Sequence, residues 1–253
     1  MSWAQRRKAT YLSGIILFFI IIILIIVVPR LFKTATCFDG IKNQSEIGID
    51  CGGPCQIICR AEYSDPIVQW VRWAKVTSSG TYNVLAYIEN PNIGSGAYDA
   101  PYNFKIYDKD GVLLFEKYGN AYIPPNKKFA IFEDGINLLD KTPSRINFTF
   151  TTGAVWQKMD NRELGIVSDS NILSKESLKP RLDSVIRNKT LRDIKDIEVI
   201  AILYDSNNNA VAFSRTKIDL LDKESTQNIV FTWPEPFSGK VYRIETISKI
   251  LGK

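Results

Sequence analysis

The chain has 253 residues, 45% hydrophobic and 23% charged, with a formal net charge of +5. The whole excess sits at the start: residues 1–33 carry five Lys/Arg and no Asp/Glu, leaving 27 of each sign in the remaining 220. That neutral balance removes any electrostatic footprint for a polyanion such as nucleic acid. The absence of histidine excludes His-based triads, His-ligated zinc and the commonest general base.

The first element is the uncharged run Leu12–Val28, broken only by Ser13 and Gly14. With Tyr11 and Pro29 it predicts a transmembrane helix over 11–29, about 28 Å long against a hydrocarbon core of roughly 30 Å. Arg6, Arg7 and Lys8 precede it, and Arg30 and Lys33 follow. The positive-inside bias then makes 1–10 a cytoplasmic tail and sends the rest of the chain out of the cytoplasm. Two alternatives fit less well. A cleaved signal peptide has a shorter apolar region and a small-residue site, and no A-x-A follows here. A lipoprotein site at Cys37 would follow a leucine, whereas Thr34-Ala35-Thr36 precedes it.

Residues 34–60 form a cysteine-rich knuckle. Cys37, Cys51, Cys55 and Cys59 cluster there, and no cysteine follows. An even cluster beyond a membrane segment predicts two disulfides, with three pairings open. A four-thiolate zinc site is the rival, but C-x13-C-x3-C-x3-C lacks the C-x2-C knuckles such sites use. Asp39, Asn43, Glu46 and Asp50 are the candidate metal ligands, offering oxygens that suit a weak calcium site without EF-hand spacing. The competing expectation is that they cap turns, since Asp39-Gly40 and Gly52-Gly53-Pro54 are turn chemistry.

Residues 37–55, C-F-D-G-I-K-N-Q-S-E-I-G-I-D-C-G-G-P-C, resemble a short element of extracellular and cell-surface proteins, C-x-D-G-x-x-N-x-x-E-x-G-x-D-C-G-G-x-C. The resemblance implies an extracellular setting and no particular activity.

Beyond the knuckle the chain repeats itself. Asn103–Gly111 reads N-F-K-I-Y-D-K-D-G and Ile200–Asn208 reads I-A-I-L-Y-D-S-N-N, with the Tyr-Asp pairs 97 residues apart. Upstream, Ile88-Glu89-Asn90-Pro91-Asn92 is matched by Ile186-Arg187-Asn188-Lys189-Thr190; downstream, Phe129–Phe132 is matched by Asn228–Phe231. Conserved order over such a distance predicts duplicated domains, 61–159 and 160–253. Each reads as strands: Tyr82, Val84, Ala86 and Ile88 alternate with other residues, as do Ile197, Val199, Ala201 and Leu203. Asp108–Gly111 and Asp205–Asn209 read as hairpin turns. The expected fold is mainly β: two tandem immunoglobulin-like sandwiches of about seven strands each, after one transmembrane helix and the disulfide-rich knuckle. Residues 160–179 are expected to hold the linker and the first strand of the second sandwich.

Phe104-Lys105-Ile106-Tyr107-Asp108 is similar to the F-x-L-Y-D signature of a bacterial and archaeal β-sandwich domain, and Ala201–Asp205 departs from it only at the first position. The resemblance implies a fold and an extracytoplasmic habit, and carries no catalytic residues.

The remaining candidates read as structure. Tyr107 and Tyr204 are expected at sheet edges with their hydroxyls bonded to backbone, and Asp108 and Asp205 as turn openers. Trp70, Trp73, Trp156 and Trp233 are expected in the core rather than as a sugar-stacking platform. Asn43-Gln44-Ser45, Asn147-Phe148-Thr149 and Asn188-Lys189-Thr190 are sequons. The leading functional expectation is a non-enzymatic, single-pass cell-membrane protein with a structural or protein-interaction role in the envelope. Its partners would be the membrane and envelope proteins; no nucleic acid and no cofactor beyond calcium is expected. A hydrolase using Asp108 and Asp110, a carbohydrate-binding protein, and a sensor or assembly subunit of a membrane complex are the alternatives.

Overall fold

The computed structural model describes residues 3–31, 35–160, 165–237 and 239–251. The chain divides into two compact units, Met1–Cys55 and Gln56–Lys253.

In the first unit the helix α1 (Trp3–Leu31) contains the expected span. Arg7–Val28 is long and apolar enough to cross a membrane, and none of it is buried in protein. The residues expected as a separate tail are helical from Trp3 onward. Inside the run, Ser13 Oγ donates to the Thr10 carbonyl at 2.9 Å, so its hydroxyl needs no water. Lys33, expected to flank the span, lies outside the described residues.

In the second unit a 3-10 turn (Arg60–Glu62) leads into thirteen strands among the described residues, and the chain is mainly β as expected. The first set comprises β1 (Ile67–Thr77), β2 (Thr81–Asn90), β3 (Ser95–Tyr107), β4 (Leu113–Ile123), β5 (Lys127–Asn137), β6 (Arg145–Phe150) and the short β7 (Trp156–Lys158). The second comprises β8 (Ile166–Ser174), β9 (Arg181–Asn188), β10 (Ile194–Tyr204), β11 (Ala210–Leu221), β12 (Thr226–Thr232) and β13 (Arg243–Ile250). The sheets are β1-β2-β5 and β4-β3-β6 in the first set, with β7 pairing β3, and β8-β9-β12 and β11-β10-β13 in the second. Strand for strand this is one topology twice, all antiparallel, and among the described residues no sheet runs from one set into the other. The second copy has six strands among the described residues, one short of the seven expected, because nothing there pairs as β7 does.

Each sandwich has its own core. Val84, Ile88, Phe104 and Phe129 are fully buried in the first, and Leu182, Ile186, Ile197 and Phe231 in the second. A third core lies between the two sandwiches, formed by Leu85, Phe132, Ile200, Ile202, Phe213 and Ile247. It joins the outer face of β1-β2-β5 to the outer face of β11-β10-β13. Because alternate residues of a strand point to opposite faces, β2 and β10 are buried on both sides. Full burial of each such side chain contributes roughly 1.5–3 kcal/mol, so this seam is a substantial part of the fold.

The duplication extends to individual hydrogen bonds. Asp108 Oδ1 accepts from the amides of Asp110 and Val112 at 2.9 and 2.8 Å. Asp205 Oδ1 accepts from those of Asn207 and Asn209, both at 2.8 Å. These are the turn openers the sequence predicts, and bonding of this kind is why Asp is favoured there.

Candidate functional site

Every cysteine is disulfide-bonded, with Cys37 bonded to Cys55, so the thiolate zinc reading fails. The knuckle residues expected as calcium ligands do come together, but they meet backbone amides. Asp50 carboxylate oxygens accept from the amides of Asp39 (3.0 Å) and Gly40 (2.9 Å). Asp39 accepts from the amides of Thr36 and Ile41 and from Asn43 Nδ2 at 2.9–3.1 Å. Glu46 is buried, and its Oε2 accepts from the amides of Asn43 and Asp50. This is a set of side chains closing turns that a short, nearly coreless segment cannot close by packing. Asn43 Oδ1 is buried without a hydrogen-bond partner among the described residues, and is the feature of the loop most open to a cation or water. Gly53 adopts φ +56°, where a Cβ would also collide with the Ser45 carbonyl, which is why glycine stands there.

The C-terminal part of the expected knuckle belongs to the second unit. Gln56–Cys59 runs beside β7, where Ile58 N donates to the Trp156 carbonyl at 2.9 Å.

The tyrosines of the repeated motif sit under arginines. The Arg145 guanidinium lies 4.5 Å from the Tyr107 ring centroid, and that of Arg243 3.6 Å from the Tyr204 ring. Contrary to the sequence expectation, the Tyr204 hydroxyl donates to a side chain, Glu245 Oε2, at 3.0 Å. Tyr87 donates to the other oxygen of the same carboxylate at 2.7 Å. Burial first, then the neighbouring carboxylate, pushes both tyrosines well above their ordinary range. Behind them in the seam Glu198 is buried with Lys249 at 2.9 Å and Arg215 at 3.3 Å, and Arg215 also reaches Asp134. These groups are paired with one another across the seam.

Trp156 and Trp233 are buried, and Trp70 stacks on Tyr87 at 5.0 Å in the seam. None forms an exposed platform for a sugar. Asp110 is on the surface in an ion pair with Lys109, while Asp108 accepts from the amides of its own turn. A groove of about 570 Å³ beside Tyr63, Phe148 and Trp156 holds a single carboxylate, Asp65, ion-paired to Arg60 at 2.8 Å. Two residues of consequence were missed by the sequence reading. Asn90 and Asn188 are fully buried; Asn90 Nδ2 donates to the carbonyls of Ser95 and Pro124 (2.8 Å each), and Asn188 Nδ2 to those of Arg192, Leu221 and Asp222. The signal was present, since both stand in the repeated segments that flank the Tyr-Asp motif.

No protein-family model matches the chain, and no curated protein matches it in sequence. Among solved structures it is similar to a Bacteroides uniformis β-glucuronidase, at 14% identity and TM-score 0.25, over 68% of this chain and 24% of the enzyme. A β-glucuronidase from glycoside hydrolase family 2 matches at 11% identity and TM-score 0.22, over 67% of this chain and 24% of that one. The chain thus spans about a quarter of these enzymes, and likeness of this degree carries no functional argument.

Proposed function

We propose that this protein is a single-pass, membrane-anchored extracytoplasmic protein whose paired sandwiches serve a structural or protein-interaction role in the cell envelope. The N-terminus is cytoplasmic and everything after the span lies outside. The observation that carries the reading is an uncovered helical span, Arg7–Val28, with cations at its N-terminal end and four oxidised cysteines beyond it. Disulfides persist in oxidising compartments, and cations favour the cytoplasmic flank. The tandem sandwich topology supports kinship with the F-x-L-Y-D domains, and the knuckle fits a cell-surface setting. An interaction role is favoured over catalysis because the carboxylates described above are committed to capping or ion pairs.

Labelling tests this topology. In intact cells a membrane-impermeant maleimide is expected to leave the cysteines unmodified until an impermeant reductant is added, and to label all four afterwards. Labelling without reduction, or protection after reduction in cells shown to admit both reagents, contradicts the proposal.

A further inference from the structure

The two sandwiches differ at one end. In the first, β1 and β2 are joined by the tight turn Ser78–Gly80, which closes on the chain after β5: Leu138 N donates to the Gly80 carbonyl at 3.0 Å. A Cβ at Gly80 would collide with the Leu139 carbonyl, so the two chain segments are in close contact there. In the second, β8 and β9 are joined by the longer loop Lys175–Pro180. It leaves a cleft of about 440 Å³ against Trp233 and Pro234, which follow β12. Three cations line that cleft, Lys175, Lys179 and Arg181, and no carboxylate does.

A second observation is independent of the charges. Trp233 is 7% exposed, and its indole Nε1 is buried without a hydrogen-bond acceptor among the described residues. A buried donor left unmatched costs on the order of 1–3 kcal/mol, so such a group calls for an acceptor. The charged side chains of this wall can only donate: two ammonium groups and a guanidinium. Arg181 is partly committed, since it holds Asp183 through two nitrogens at 2.6–3.1 Å. Lys175 and Lys179 form no ion pair among the described residues and supply the available charge.

We propose that this cleft binds a phosphate group carried on a larger organic molecule. Donors from several directions suit a tetrahedral dianion with acceptor oxygens on every side, and charge-assisted bonds to it are the strong ones. The cleft is much larger than phosphate alone, and the apolar faces of Pro180 and Pro234 are left for the rest of the ligand. At the equivalent place the first sandwich carries the tight turn Ser78–Gly80 instead.

The test follows the indole N–H resonances of the full chain in detergent micelles. Trp233→Phe identifies the relevant peak; if that variant fails to fold, the peak is assigned by elimination using Phe substitutions at Trp3, Trp70, Trp73 and Trp156. Glycerol 3-phosphate is expected to move the Trp233 peak in a saturable way, inorganic phosphate to move it at higher concentration, and glycerol to leave it in place. The double variant K175A/K179A is expected to weaken the effect by about tenfold or more, as loss of charge-assisted bonds requires. No movement with either phosphate at 10 mM (roughly the weakest specific range), equal movement with glycerol, or an unchanged titration in K175A/K179A would overturn the proposal. Inorganic phosphate binding as tightly as glycerol 3-phosphate would overturn the part that assigns an organic body to the ligand.

Discussion

Leu85 and Asp183 hold the same place in the two sandwiches, on the central strand of equivalent sheets, and have opposite fates. Leu85 is fully buried in the seam, while Asp183 is half-exposed and ion-paired to Arg181. The other equivalent sheets show the reverse. Ile200, Ile202 and Phe213 are buried in the second copy where the first has Asn103, Lys105 and Glu116. Lys105 and Glu116 are ion-paired at 3.2 Å. The repeats therefore join through unlike sheets, a head-to-tail contact that would continue indefinitely if both outer faces stayed apolar. Charges on the two free faces stop it at two.

That asymmetry predicts the effect of a charge in the seam. Phe213→Asp should uncouple the sandwiches, because it buries an unpaired carboxylate opposite Phe132, whose ring centroid is 6.0 Å away. Calorimetry should then show two unfolding transitions where the natural protein shows one. Asp183→Leu, on the free face, should leave the single transition in place.

Asn90→Ala and Asn188→Ala should each destabilise the protein by about 2–4 kcal/mol, since each removes two or three hydrogen bonds and strands buried carbonyls. Denaturant titration measures this. Asn188 should also remain unmodified in a glycosylating host, because its amide is buried and fully engaged, whereas Asn147 is exposed.

The sequence made the strands, the duplication and the Asp108 and Asp205 turns legible, because each depends on local chemistry that repeats. The seam was harder. Val84, Ala86 and Ile88 read as a buried face by alternation, but Leu85 and Tyr87 between them are also apolar, as are Ile200 and Ile202 in β10. Such continuous runs signal burial on both faces without saying what covers the second. The disulfide pairing, and the bonds of Asn90 to Pro124 and of Asn188 to Leu221 and Asp222, join residues distant in sequence, which no periodicity records.

Alkaline titration offers a third prediction. Tyr87, Tyr102 and Tyr204 all hold their protons above the ordinary tyrosine range, chiefly through burial and then through Glu245 or Glu133. The folded state thus binds these protons more tightly than the unfolded chain. Their contribution to stability is complete below about pH 10 and is lost as pH rises through the raised values. Tyr204→Phe should flatten the fall in stability above that pH, and absorbance should show late-ionising tyrosines that titrate normally once the protein unfolds.

In the knuckle, Asp50→Ala should release the amides of Asp39 and Gly40 and make residues 37–55 sensitive to protease even with the disulfides intact. If these carboxylates act as turn caps, calcium at millimolar levels should evolve no binding heat with the oxidised protein. Heat that disappears in Asp39→Ala and Asp50→Ala would instead establish the knuckle as a cation loop.

The most direct test of the account is protease protection of the natural protein in intact cells. Protease added outside should digest the chain beyond the helix and leave a membrane-embedded fragment that ends shortly after Leu31 and retains the N-terminus. Survival of the sandwiches in such cells, with digestion only after the membrane is breached and the folded protein shown to be cleavable, would place them in the cytoplasm and contradict the account.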